Sequence, residues 1–455
     1  MNRKNLEKVI MLSLVLSSIG SGSAMAWEWG LNNSGGTVDI PESSKSFIVN
    51  SMTDKAIGIF NAQSGTLTAN HILLEVRSAN KEATGFFNDG GSTYTGKDIY
   101  MTVVGGTGDY MVQGIANQST GADGTSKFAA GDIRMDLTGY GSEIYGIING
   151  SHGTNGNNAV DFKAGDIIIE ANNDGNVIGI TNKNGTNGGS TFSADNVSID
   201  ASGKWFMAGI ENQTSNQMDL KNVYINLIKK ENGVMYGVLN TGVDFKSERL
   251  SILLDNDKGT DKTIGIDVGG YKTIINDDLN LRIIGNANSN VIGVKGEAQV
   301  AGNVYADLSG GKNVTGIHGT ANIDGSVDMK INSLGSAYGI NAGQVTVGHN
   351  MNMDITGKDG VVAGISSSDA VTVAGNFNVN IHDTNAPDRM AAVIGTASTG
   401  TMINIGGLQN NINVEGSSDF AEGFFSGVKL ADDSVTNITL KNTKDSYWQT
   451  HGIYD

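Results

Sequence analysis

A short phrase recurs from one end of this sequence to the other: an aliphatic residue or Ala, then Gly, then an aliphatic residue and often Asn. It reads Ala56-Ile57-Gly58-Ile59-Phe60-Asn61 at its first appearance and His451-Gly452-Ile453 at its last. Between them it returns at Gly85, Gly114, Gly146, Gly179, Gly209, Gly237, Gly265, Gly293, Gly316, Gly339, Gly364, Gly395 and Gly423, a step of about 28 residues. Self-similarity at a fixed period of roughly 20–50 residues marks a stacked solenoid, whose units each need a neighbour to bury their apolar face. A globular enzyme built around one central pocket does not read this way.

Each unit carries a second landmark, clearest in Phe128-Ala-Ala-Gly-Asp132-Ile133 and Phe162-Lys-Ala-Gly-Asp166-Ile167. A strand follows at once. Ile133, Met135 and Leu137 alternate with Arg134 and Asp136, and the same comb appears at Val223, Ile225, Leu227 and at Phe377, Val379, Ile381. Period two with β-branched enrichment is a half-buried strand. The glycine phrase is a second strand, and the Phe or Val leading into the Gly-Asp turn belongs to a third. Three strands and three turns per coil predict an all-β, right-handed parallel β-helix of about 15 coils over residues 56–455. At about 4.8 Å per coil the rod is roughly 70 Å long. The load of Gly and Asn argues against helical repeats.

Composition agrees and narrows the partners. The chain has 64 Gly, 2 Pro and no Cys, so tight turns are many and stability rests on packing and hydrogen bonds, not on disulfides. Its formal charge is −17, with the acids scattered, which disfavours nucleic acid and anionic lipid as partners.

Residues 1–26 read as a secretory signal peptide. Arg3, Lys4 and Lys8 form its basic start, Val9 to Leu16 its apolar core and Ala24-Met25-Ala26 its cleavage site. Residues 27–55, with Trp27, Trp29 and Phe47-Ile48-Val49, are expected to cap the first coil, because an open β-helix end exposes unpaired strand edges. The sequence stops at Tyr454-Asp455 inside a repeat, and a continuation beyond Asp455 is expected.

Arc lengths separate the two sides of the coil. From the polar turn position (His71, Asp98, Asp132, Asp166, Asn196, Asn222, Arg249, Asp278, Asn303, Ser326, Asn350) to the next phrase glycine takes 13 to 16 residues. From Asn376 to Gly395 it takes 19, which reads as an isolated turn loop at Asn385-Ala386-Pro387-Asp388. The return arc varies more, with insertions at 118–127, 150–161 and 183–191 that predict a polar ridge suited to contact.

Two columns invite a chemical reading. Asp98, Asp132 and Asp166 would stack one coil apart and could pair around a cation, but the same residues as a ladder satisfying turn amides is the favoured reading. The phrase asparagines Asn61, Asn88, Asn117, Asn149, Asn182, Asn212 and Asn240 form a second ladder, explained by amide stacking or by left-handed turns. The phrase glycines permit either a positive φ or close contact between coils. Gly105-Gly106-Thr107-Gly108-Asp109 resembles a calcium nonapeptide only loosely, and nothing repeats it. His152, His318, His382 and His451 are scattered without metal-ligand spacing. No nucleophile elbow occurs. No catalytic residue, metal ligand or cofactor is therefore assigned, and the chain is read as non-enzymatic.

With its leader, its lack of Cys and irregular coils such as Phe162-Lys-Ala-Gly-Asp-Ile-Ile-Ile-Glu170, the sequence resembles the passenger region of a Gram-negative autotransporter. The resemblance implies export through the outer membrane by a C-terminal β-barrel in cis, display at the cell surface or release outside it, and adhesin-like or virulence-related binding. The partner would be a host or neighbouring-cell surface protein or glycan. No barrel-like run of alternating strands with aromatic girdles stands within the 455 residues. A polysaccharide lyase or hydrolase on the same fold, and a passive surface spacer, are the alternative readings.

Overall fold

The computed structural model describes residues 28–41, 44–120, 124–150, 158–184, 189–216, 218–383, 388–395, 403–425, 428–443 and 450–454. The expected leader at 1–26 lies outside them. Every regular element among the described residues is a strand, and each pairs in parallel with the strand one coil away. The result is a parallel β-solenoid of about 14 turns.

Three sheets run the length of the rod. The glycine sheet stacks the phrase strands, such as Ala56–Ala62, Met207–Gln213 and Val361–Ser367. A narrow sheet stacks three-residue strands such as Lys127–Ala129, Asp161–Lys163 and Val345–Val347. The comb sheet stacks strands such as Ile167–Asn173, Leu279–Gly285 and Met351–Gly357. Alternation there is strict: in Ile167–Asn173, Ile167, Ile169 and Ala171 are buried, and Ile168, Glu170 and Asn172 are exposed. The inward residues of all three sheets form one continuous apolar column. Within it, Phe128, Phe162 and Phe192 of the narrow sheet stack in parallel, with ring centroids 5.0 and 4.7 Å apart.

The phrase glycine is required by close approach. No phrase glycine among the described residues takes a positive φ. A Cβ on Gly85 would lie 2.7 Å from the carbonyl oxygen of Gly114 and 2.8 Å from Sδ of Met101 on the comb sheet. On Gly179 it would meet the oxygen of Gly209 at 2.6 Å and Cδ1 of Ile199 at 2.7 Å. Each glycine thus leaves room for the next coil's backbone and for an inward comb residue.

Register corrects one expectation. Ala363 pairs with Ala391 and Ile365 with Val393, which places Ala392 and not Gly395 opposite Gly364. Gly395 pairs with Ser367, at the corner that ends the strand. The arc from Asn376 to Ala392 is then 16 residues, inside the common range, and the expected extension disappears. Of the isolated loop proposed at Asn385–Asp388, residues 385–387 lie outside the described residues.

The stretch expected as a cap is one more coil. Glu28–Ser34 pairs in register with Ala56–Ala62, Thr37–Ile40 with Thr66–Ala69, and Lys45–Ser51 with Ile72–Ser78. Gly30 occupies the phrase-glycine position, its hypothetical Cβ 2.6 Å from the oxygen of Gly58. It covers the coil behind it as a cap would, but by continuing the repeat.

Candidate interaction surfaces

The two polar columns hold coils together. Asn61 donates through Nδ2 to Oδ1 of Asn88 at 2.8 Å, Asn88 to Asn117 at 2.8 Å and Asn117 to Asn149 at 2.9 Å. Asn149 donates to Asn182 at 2.8 Å, Asn182 to Asn212 at 3.1 Å and Asn212 to Asn240 at 2.7 Å. Asn33 adds an earlier rung, donating to Asn61 at 2.8 Å. The second N–H of Asn61, Asn117 and Asn149 reaches a backbone oxygen of the next coil, at Thr93, Asp161 and Thr191. These amides are buried and paired with one another, as buried polar groups must be.

The turn column behaves as a ladder too. Oδ1 of Asp98 accepts the Asp132 N–H at 3.3 Å, and Oδ1 of Asp132 accepts the Asp166 N–H at 3.1 Å. Asn196 donates to Asp166 at 2.6 Å, and Asn222 to Asn196 at 2.7 Å. His71 lies 3.0 Å from Asp98 at one end, and Arg249 turns aside to Asp277 at 2.5 Å. Among the described residues no group of three or more His, Asp or Glu side chains converges as a metal site would.

The tips of the expected loop ridge, at 121–123, 151–157 and 185–188, lie outside the described residues. Its flanks are tied between coils. Thr120 bonds Asp89 through both its N–H and its hydroxyl, and Asn158 donates to the oxygen of Gly124 at 3.3 Å.

Two surfaces that the sequence reading passed over stand out instead. The first is the outer face of the comb sheet, where a shallow groove of about 880 Å³ runs from Tyr224 to Asn413. Outward residues form columns across it because each comb strand alternates. In one column Asn352 donates to Asp328 at 2.7 Å, Asn378 to Asn352 at 2.9 Å, Asn411 to Asn378 at 3.1 Å and Asn437 to Asn411 at 3.1 Å. The adjacent column pairs Arg282, Asp307, Lys330 and Asp354 in register, alternating in sign. It ends in amides, with Asn380 donating to Asp354 at 3.2 Å and Asn413 to Asn380 at 2.8 Å. An Asn has two N–H donors and two acceptor positions. A ladder uses one of each, so every rung keeps hydrogen-bonding capacity facing outward. Tyr224 and Tyr305 stand exposed in the same face.

The second is a trough along the outer face of the glycine sheet. Its floor is the residue before each phrase glycine. That floor is buried at Ile57, Thr84, Gln113, Tyr145, Ile178 and Ala208. There Tyr145, Ile148, Ile178 and Ala208 pack with Met111, Phe206 and Tyr236 into a separate apolar cluster. Between Tyr236 and Tyr338, with Ile264 still buried in its floor, lies a groove of about 410 Å³. Along one edge Lys295 holds the buried Asp267 at 2.8 Å. Along the other, Asn313 donates to Asn290 at 2.9 Å. Burial raises the phenol pKa values of Tyr236 and Tyr338, and the Asp267 charge adds to the effect at Tyr236. Farther on, Glu422 takes the floor position and is buried with its carboxyl pKa raised by desolvation, against the opposing charge of Arg389 at 3.6 Å.

No protein-family model, curated protein or solved structure matches the chain.

Proposed function

We propose that the chain is an exported β-helical interaction rod, of the kind found in autotransporter passengers, that binds a protein or glycan on a host or neighbouring cell. The observation that carries this reading is the comb face: repeated polar columns with outward hydrogen-bonding capacity, two exposed tyrosines and a long open groove. A repeating surface suits an extended partner that touches many coils weakly, whereas a reaction site needs a few groups held around one point. The leader-like residues 1–26 and the acidic charge of −17 support a partner outside the cytoplasm and other than nucleic acid. Surface attachment would come from a barrel in cis.

The test is binding of the labelled mature rod to host epithelial and bacterial cells, with the paired variant Tyr224→Ala/Tyr305→Ala on the comb face. Binding that falls in the variant, with thermal stability kept, supports the proposal. Binding unchanged in the variant, or turnover of a polysaccharide by the purified rod, overturns it.

A further inference from the structure

We propose that the open part of the glycine-sheet trough, between Tyr236 and Tyr338, is a binding site for a short neutral oligosaccharide. The inference rests on the rod being exported to where glycans are displayed.

The site is local. The floor is buried from Ile57 to Ala208, at Ile264 and again at Ala363 and Ala391, and is half-buried at Tyr236, Ile292, Thr315 and Tyr338, where the groove lies. Tyr236 and Tyr338 stand four coil steps apart, ~19 Å at about 4.8 Å per coil. Register keeps the floor continuous between them through Ile264, Ile292 and Thr315. This is about the length of four linked sugar rings.

The chemistry of the walls fits a sugar. A pyranose ring has an apolar C–H face and a rim of hydroxyls. An aliphatic floor ended by two aromatic rings meets the face, and the polar edges meet the rim. One edge carries Asp267, Lys295, His318 and Asn341 in register, and the other carries Asn290 and Asn313. Oδ1 of Asp267 accepts the Gly269 N–H at 3.1 Å and Oδ2 takes Lys295, so the carboxylate is fixed in orientation while both oxygens keep an accepting lone pair. The Asp267–Lys295 pair is neutral as a unit, Lys262 adds a single further lysine to the lining, and the whole chain carries −17, so the field of the chain favours a neutral ligand over a multiply sulfated one. A peptide strand would need an unpaired sheet edge. The trough offers none, since the glycine-sheet strands here pair on both sides.

Isothermal titration of the mature protein with cellotetraose, xylotetraose, mannotetraose, chitotetraose and a heparin tetrasaccharide tests the site. Saturable binding of at least one neutral tetrasaccharide is expected, weakened about tenfold or more by Tyr338→Ala or by Thr315→Arg, which blocks the floor one coil from Tyr338. Tyr338→Phe keeps the ring and retains most of the affinity, so a folding defect in the Ala variant leaves the test intact. The variant Tyr140→Ala, exposed and on neither groove, binds as the parent does. The inference is overturned by binding to none of the neutral sugars, by binding to the heparin fragment alone, or by equal loss in Tyr140→Ala. Cell binding by the trough variants is scored separately: if it persists while sugar binding is absent, the trough site fails and the interaction rod stands.

Discussion

Nδ2 of Asn117 lies 2.9 Å from Oδ1 of Asn149, and its second N–H reaches the backbone oxygen of Asp161 at 3.0 Å. One buried amide therefore satisfies two coils at once, and seven such steps link Asn33 to Asn240. Asn149→Ala would orphan the Asn117 donor, Oδ1 of Asn182 and the oxygen of Thr191. The expected cost is about 2–4 kcal/mol, because buried groups without partners bear their full desolvation penalty. Asn149→Asp should cost at least as much, since it can accept from Asn117 but can donate to neither partner. Asn240→Ala, at the last rung, should cost less. Urea denaturation midpoints rank the three, and an Asn149→Asp variant as stable as the parent would sink the account.

The glycine column gives a sharper test of register. Gly179→Ala forces a Cβ against the Gly209 oxygen and Ile199, so it is expected to destabilise by several kcal/mol or to prevent accumulation of folded protein. Gly395→Ala should change the stability by less than about 1 kcal/mol, because Gly395 is a corner residue opposite Ser367. Ala392→Gly should likewise cost only about 0.5–1 kcal/mol, mainly through backbone entropy. If Gly395→Ala is as damaging as Gly179→Ala, the register given by the structure is wrong.

The coil was legible because its period and its alternation are backbone constraints that each repeat restates. The phrase asparagines were legible as a ladder for the same reason. The register at Ala392 was not, because one alanine broke the glycine rule while a nearby glycine offered a false match. The first coil was missed although Gly30-Leu31-Asn32-Asn33 carries the phrase, since a covering role had already been given to that stretch. The comb face could have been found from the outward positions Asn352, Asn378, Asn411 and Asn437. The trough could not. Whether the residue before a phrase glycine is open or sealed depends on side chains such as Met111 and Phe206 reaching over from other columns, and no local pattern reports that.

Lys229 gives a pH prediction. Its amine is buried and donates to the backbone oxygens of Trp205 and Val234, and desolvation lowers its pKa from 10.5 to about 8. The unfolded chain thus holds the proton more tightly than the folded one. The resulting penalty is full below pH 8 and is relieved as pH rises from about 8 toward 10.5. Relative to Lys229→Met, which has no such proton, the parent should gain stability between pH 7 and 9.5, on the order of 1–2 kcal/mol. Parallel melts of both proteins across that range check it. A constant difference would mean that the amine stays charged.

Because the strands of each coil pair only with those of the adjacent coils, damage in the core should remain local. Phe162 stacks between Phe128 and Phe192, so Phe162→Ala removes two ring contacts and opens a cavity, at a cost of about 3–5 kcal/mol. Hydrogen exchange followed by mass spectrometry should then show lost protection in the strands flanking the site, Ile133–Asn149, Ile167–Asn173 and Thr191–Gly203. Met351–Gly357 and Phe377–Asp383, many coils away, should exchange as in the parent. Uniform loss of protection along the whole rod would instead mean that the coils unfold as one cooperative unit, and that neighbour-by-neighbour stability does not describe this solenoid.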